Sequence, residues 1–388
     1  MAMKFKKIKG HAGATAALVA ALILPLGGAA GAQETAPKVV ASIQPLHSLL
    51  AAVMKDVGEP TLLVQGVNTP HDYSLTPANA RALSQADLVV WVGESMETFL
   101  VRPISALASD AVVLEAMEAE GVEALEGREG GVWEAHADHD AHGHEGHKDE
   151  HGHAAHKDEH DHAAHKDEHD HAAHKDEHDH EAHKDEHDHD HEAHKDEHAH
   201  EEHGHEADEH GHAHGALDAH IWLDPRNAMA IGQAAAETLA RIDPPNAARY
   251  RANAASLTAY LETVEDGLAK TLAPVRGKPY IVFHDAYQYF ERRFGLNAVG
   301  SITISPERAP GAKRIAEIRA RLRDTGAACV FAEPQFEPAL ARTVVEGTET
   351  RIGVLDPLGA DLAPGPSTYG TILRKLAASL RDCLSAAS

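Results

Sequence analysis

Two stretches of the chain repeat one grammar, in which a short run of β-branched and aliphatic residues gives way to a turn and then to apolar residues at helical spacing. In the first stretch the extended runs fall at 39–44, 61–65, 88–93 and 111–115, separated by helical patterns at 46–55, 77–85 and 97–107. In the second they fall at 280–284, 298–302, 329–332 and 351–355, with helical patterns at 285–293, 312–324, 338–347 and 367–384. This alternation predicts an α/β protein made of two similar (βα)4 lobes with parallel sheets. Between them, Asp243-Pro244 offers an N-cap and a first-turn proline, and Tyr250, Ala254, Leu257, Leu261, Val264, Leu268 and Leu272 follow at helical spacing. A helix over 246–273 is expected, about 40 Å long and able to run the length of a two-lobed molecule.

Two segments break the pattern. Residues 1–32 place Lys4, Lys6, Lys7 and Lys9 before an apolar run over 12–26 and a small-residue stretch ending Ala30-Gly31-Ala32. That is a secretory signal peptide, with cleavage expected after Ala32. The apolar part is shorter than the roughly 20 residues of a spanning helix and is broken by Pro25 and two glycines, so no stable membrane insertion is expected. No cysteine stands at the cleavage point to carry a lipid, and a soluble periplasmic monomer is the expectation.

The second break, 136–214, holds 28 of the 33 histidines, 27 acidic residues and 6 lysines, with almost no large apolar side chain. A nonapeptide of the type Ala154-Ala-His-Lys-Asp-Glu-His-Asp-His162 recurs through it. Such units carry nothing that stacked repeats could bury, so a disordered, expanded loop is predicted rather than a solenoid. The expected organisation is therefore a signal peptide at 1–32, an N-terminal lobe at 33–135 completed by 215–245, the tract at 136–214, the linking helix, and a C-terminal lobe at 274–388.

The tract accounts for −21 of the formal charge of −26, leaving the rest of the chain nearly neutral. No basic face remains to neutralise phosphates, which argues against a nucleic-acid partner. Cys329 and Cys383 are the two cysteines, and an even pair in an oxidising compartment favours a structural disulfide over a catalytic thiol.

Outside the tract and signal, four histidines remain: His47, His71, His220 and His284. His47 sits among Leu46, Leu49 and Leu50 and reads as a packed residue. His71 lies in a loop beyond the second strand, His220 where apolar residues resume after the tract, and His284 at the end of the strand over 280–284. Asp356 takes the equivalent place on the fourth strand of the second lobe, where a turn-forming Asp-Pro is the competing explanation. Strand ends of this kind are where open α/β sheets bind ligands, so these four are the expected metal ligands of an interlobe cleft.

Pro70-His-Asp-Tyr-Ser-Leu-Thr-Pro77, Asp218-Ala-His-Ile-Trp-Leu-Asp-Pro225 and Phe283-His-Asp-Ala-Tyr287 resemble the metal-binding motifs of substrate-binding proteins of bacterial zinc ABC importers, the ZnuA type. The resemblance runs over the whole mature chain, including an acid- and histidine-rich insertion before the second motif. It implies two (βα)4 lobes joined by a long helix, little hinge motion, Zn2+ as the transported ligand, and an inner-membrane ABC permease as partner. By position it makes His71, His220 and His284 ligands, with Asp356 or water fourth. Pro70 stands where some zinc members have a glutamate. Cys329 and Cys383 resemble a disulfide of the zinc branch that ties the last helix to the third strand of the second lobe.

The residues favour zinc in their own right: three imidazoles with one oxygen make a tetrahedral site, whereas manganese prefers more oxygens. Nickel and copper also accept imidazole. A zinc hydrolase is the alternative of another class, with Asp72 or Asp285 as base; orientation of the imidazoles is the role expected of both. No His-Glu-x-x-His or Gly-x-Ser-x-Gly motif supports hydrolysis, and the missing anchor argues against an adhesive surface protein. The tract itself is expected to gather or buffer zinc weakly, less so in acid, where protons compete for imidazole.

Overall fold

The computed structural model describes residues 36–128, 217–306 and 308–386; the predicted signal peptide and the histidine tract lie outside the described residues. The first lobe runs β1 (Val39–Ala41), α1 (Gln44–Val53), β2 (Thr61–Leu62), α2 (Pro77–Ser84), β3 (Leu88–Trp91), α3 (Thr98–Leu107) and β4 (Val112–Glu115). Its strands pair in parallel in the order β2-β1-β3-β4.

Two short strands flank the tract, β5 (Leu125–Glu126) and β6 (Leu217–Asp218), and pair antiparallel. Beyond them come α4 (Pro225–Ile242) and α5 (Ala247–Leu272). The second lobe follows as β7 (Pro279–Val282), α6 (Gln288–Phe294), β8 (Asn297–Ser301), α7 (Ala312–Thr325), β9 (Cys329–Ala332), α8 (Pro338–Val345), β10 (Arg351–Val354) and α9 (Thr368–Ser385). Its parallel sheet has the order β10-β9-β7-β8. Both lobes therefore arrange their strands second, first, third, fourth, the doubled architecture that the sequence pattern predicts.

Helix α5 buries Tyr250, Ala254, Leu257, Leu261, Val264, Leu268 and Leu272, the stripe predicted from spacing. One core then runs without a break from Val39 and Leu46 through Tyr250 and Leu268 to Tyr280, Phe331 and Leu373. Each large apolar side chain in it contributes about 1.5–3 kcal/mol, so the lobes are joined by packing as well as by chain.

Local boundaries depart from the predicted ones. Asp243 and Pro244 do not cap α5; they open a 3-10 turn over Pro244–Asn246, and the Asp243 carboxylate accepts bonds from Tyr250 Oη at 2.6 Å and Asn246 Nδ2 at 2.8 Å. Segment 225–242, read as the tail of the first lobe, is an eighteen-residue helix capped by Asp224, which accepts from Arg226 N at 2.9 Å. Its buried face is made of Ala228, Ile231, Gly232, Ala235, Ala236 and Leu239, and the close approach of Leu257 fills the space where a side chain at Gly232 would stand.

Cys329 on β9 and Cys383 on α9 form a disulfide with their Cα atoms 6.2 Å apart. The bond closes a loop with a sequence separation of 54 residues. Loop-closure entropy for that length amounts to about 4 kcal/mol, so denaturant titrations of the reduced protein should show a loss of roughly that size. A loss below about 1 kcal/mol would mean that the packing of α9 holds the terminus unaided.

Candidate metal centre

In open α/β sheets the ligand crevice forms at the carboxyl ends of the strands, where the strand order reverses. In the second lobe that point lies between β7 and β9. His284 follows β7, Glu333 follows β9, and His284 Nδ1 meets Glu333 Oε1 across the crevice at 2.8 Å, both side chains buried. In the first lobe the equivalent crevice between β1 and β3 is filled from within. The Glu97 carboxylate accepts from Ser42 Oγ at 2.5 Å, Val92 N at 2.9 Å and Gly93 N at 3.0 Å, and burial pushes its pKa up to about 7.

The first lobe accordingly presents its ligand from the next loop over, the one after β2. There Tyr73 packs against Phe99 and donates to Leu63 O at 3.1 Å, while Thr76 caps α2 in a reciprocal box with Asn79. These contacts hold the loop that carries His71. His220 comes from the turn after β6, where Asp218 Oδ1 accepts from both its backbone N at 3.0 Å and its Nδ1 at 2.8 Å.

Among the described residues, His71, His220 and His284 form a group whose ligand atoms all lie within 4.8 Å of one another. Their ring centroids stand 5.4, 5.5 and 5.2 Å apart. For imidazoles bound to one zinc through nitrogens at 2.0–2.1 Å, centroids stand about 5.2 Å apart in a regular tetrahedron and about 5.5 Å apart if the metal lies in their plane. His220 Nε2 and His284 Nε2 are 3.3 Å apart. Two ligand nitrogens on one tetrahedral zinc are separated by about that distance.

Both rings hand their Nδ1 to a carboxylate, so both Nε2 atoms point into the shared space, and without a cation they can face each other only by holding a proton between them. The electrostatics match. Burial, with the charge of His284 beside it, depresses His220 to about 3. Burial would also depress His284, but the Glu333 carboxylate, with Asp285 and Asp218 behind it, outweighs that and raises it above the usual histidine value. A metal ion held by the triangle would displace one proton from this pair. Affinity should be full above the His284 value and fall about tenfold per pH unit below it, the slope for one competing proton. Calorimetry in buffers of different ionisation enthalpy measures the proton count directly; zero released protons near neutral pH would contradict this arrangement.

Asp356 is not brought into the triangle. The group whose ligand atoms converge is His71, His220 and His284; Asp356 Oδ1 accepts from Gln335 Nε2 at 2.9 Å, Leu358 N at 3.1 Å and Gly359 N at 2.9 Å, and its Oδ2 from Ala360 N at 2.6 Å, so the carboxylate caps a turn beside that group. Nor does Asp285 orient an imidazole: it pairs with Arg128, which also reaches Glu291 at 2.7 Å. Asp72 is exposed. The imidazoles are oriented instead by Asp218 and Glu333, which the sequence reading passed over although Asp218 stands in a quoted motif and Glu333 directly follows a strand. His47 is buried in α1 with Nε2 against Pro60 O at 3.0 Å, as a packed residue should be.

A model of the family described as zinc-uptake complex component A, periplasmic, matches residues 39–383. The high-affinity zinc uptake system protein ZnuA of Brucella suis biovar 1 is 47% identical over 347 residues, covering 89% of this chain and 91% of that protein. The protein of the same description from Yersinia pestis is 33% identical over 346 residues, with 89% and 91% covered. Among solved structures, a crystal structure of ZnuA superposes with a TM-score of 0.62 at 21% identity, covering 90% of this chain and 99% of the other.

Proposed function

Since the chain belongs to the ZnuA family of periplasmic zinc-uptake components, we propose that His71, His220 and His284 hold the ion it carries. The protein is the zinc-binding, substrate-binding component of a zinc ABC importer, which captures Zn2+ and passes it to a membrane permease. The observation that carries the site assignment is the 3.3 Å separation of the His220 and His284 Nε2 atoms, the edge of a zinc tetrahedron. In this reading water supplies the fourth position, since the converging group is the three histidines and the Asp356 carboxylate caps its own turn.

In this reading zinc is cargo and the protein is a carrier rather than a hydrolase. The carboxylates beside the site, Asp218 and Glu333, each hold the Nδ1 of an imidazole, the role of groups that orient metal ligands. Residues 1–32 export the chain, and it acts as a monomer. Among the described residues no helix is long and apolar enough to cross a membrane. The tract at 136–214 gathers zinc weakly.

Zinc titration of the protein lacking His136–His214 tests this division of labour. One tight site should survive while the weaker, exchangeable binding disappears. Loss of the tight site together with the tract would sink the assignment to the three histidines.

A further inference from the structure

Asp356 does not touch the metal triangle, yet a single side chain connects the two. Gln335 lines the same small cavity as His71, His220 and His284, a space of about 10 Å³ that admits roughly one water. Its Nε2 donates to Asp356 Oδ1 at 2.9 Å. A carboxylate already receiving three backbone N–H bonds can only accept, so chemistry fixes the amide: nitrogen toward Asp356, oxygen away from it. That oxygen, Oε1, is buried, and among the described residues no group donates to it. An amide oxygen withdrawn from solvent and given no donor is costly, and such an atom calls for a partner that arrives with the ligand.

We propose that Gln335 is a positioning residue for the cargo: its Oε1 accepts a hydrogen bond from the water that completes the zinc tetrahedron, and Asp356 holds the amide in place from behind. Zinc-bound water is a strong donor, which suits an orphaned acceptor. A neutral amide, unlike a carboxylate, does not take the proton, so the ion is retained without generating a hydroxide nucleophile. Asp356 thereby serves the site at one remove. The inference rests on the three-histidine reading and adds its fourth contact.

The test compares the full-length chain with Gln335→Met, Gln335→Glu and His284→Ala, using one equivalent of Zn2+ for release kinetics against a chelator and one equivalent of Co2+ for visible spectra. Gln335→Met should leave the apo melting temperature unchanged, release zinc about 10-fold faster and shift the cobalt bands. Gln335→Glu loses the donor to Asp356 but restores an oxygen in the cavity, and should retain zinc at least as long as the parent. Parental release and spectra in Gln335→Met would overturn the proposal. So would Gln335→Glu behaving like Gln335→Met, since the residue would then act only by supporting the turn. Unchanged zinc retention in His284→Ala would instead strike the three-histidine reading itself.

Discussion

Alanine at His220 is expected to weaken zinc binding about 100-fold. The ring is buried, held at Nδ1 by Asp218, and carries its Nε2 3.3 Å from that of His284, so its removal takes away one corner of the tetrahedron and leaves nothing to replace it. Structural zinc sites with four ligands bind with roughly 10–16 kcal/mol, or about 3 kcal/mol per ligand, and 1.4 kcal/mol is a factor of ten. The loss should grow further because Asp218, pushed up to about 6 chiefly by burial, is left without the imidazole it orients. Competition against a fluorescent chelator reads the change. His47→Ala, which removes a buried histidine outside the triangle, should leave affinity unchanged. A His220→Ala affinity within tenfold of the parent would contradict a three-imidazole site.

Alanine at Arg128 is expected to destabilise the fold by about 3–5 kcal/mol, the usual cost of stripping the partner from buried charge. Arg128 follows β5, and its side chain is almost wholly buried against Asp285 and Glu291. Burial raises Glu291 to about 7 even with the guanidinium beside it. Burial would lower the Arg128 pKa, but the two carboxylates more than offset that. With Arg128 gone, the buried Glu291 and the half-buried Asp285 must either protonate or draw in water. Urea denaturation measures the loss, and neutralising both acids together, Asp285→Asn with Glu291→Gln, should recover most of it. A loss under 1 kcal/mol, or no recovery in the triple variant, would mean that the cluster does not stabilise the fold through its charges. Arg128 also ties the segment after β5 to Asp285, next to His284, while Tyr289 accepts from Leu125 N on β5 and donates to Asp218 O on β6.

What could be read from the sequence was set by how strongly each feature depends on local pattern. The α5 stripe was legible residue by residue, because large aliphatic side chains at spacings of three and four leave no other interpretation. Helix α4 was not, since its buried face uses Ala228, Gly232, Ala235 and Ala236, small residues that do not register as a hydrophobic stripe yet let α5 approach closely. The three histidines stood out because each follows a strand or restarts an apolar segment. Asp356 shared that position, but the turn it caps, with Leu358, Gly359 and Ala360 donating to its carboxylate, forms only in three dimensions. Glu333 could have been found from topology: once the strand order is known to reverse between β7 and β9, the residues after both strands must face each other. The role of Arg128 had no such signal, because its partners lie more than 150 positions away.

The most direct test of the central claim is anomalous diffraction at the zinc edge from crystals grown with one equivalent of the metal. The account predicts one strong peak about 2 Å from Nε2 of both His220 and His284 and from a ring nitrogen of His71, with a water fourth and the Asp356 carboxylate still on its turn. A peak coordinated by Asp356, or one lying among histidines of the tract with the triangle vacant, would contradict it.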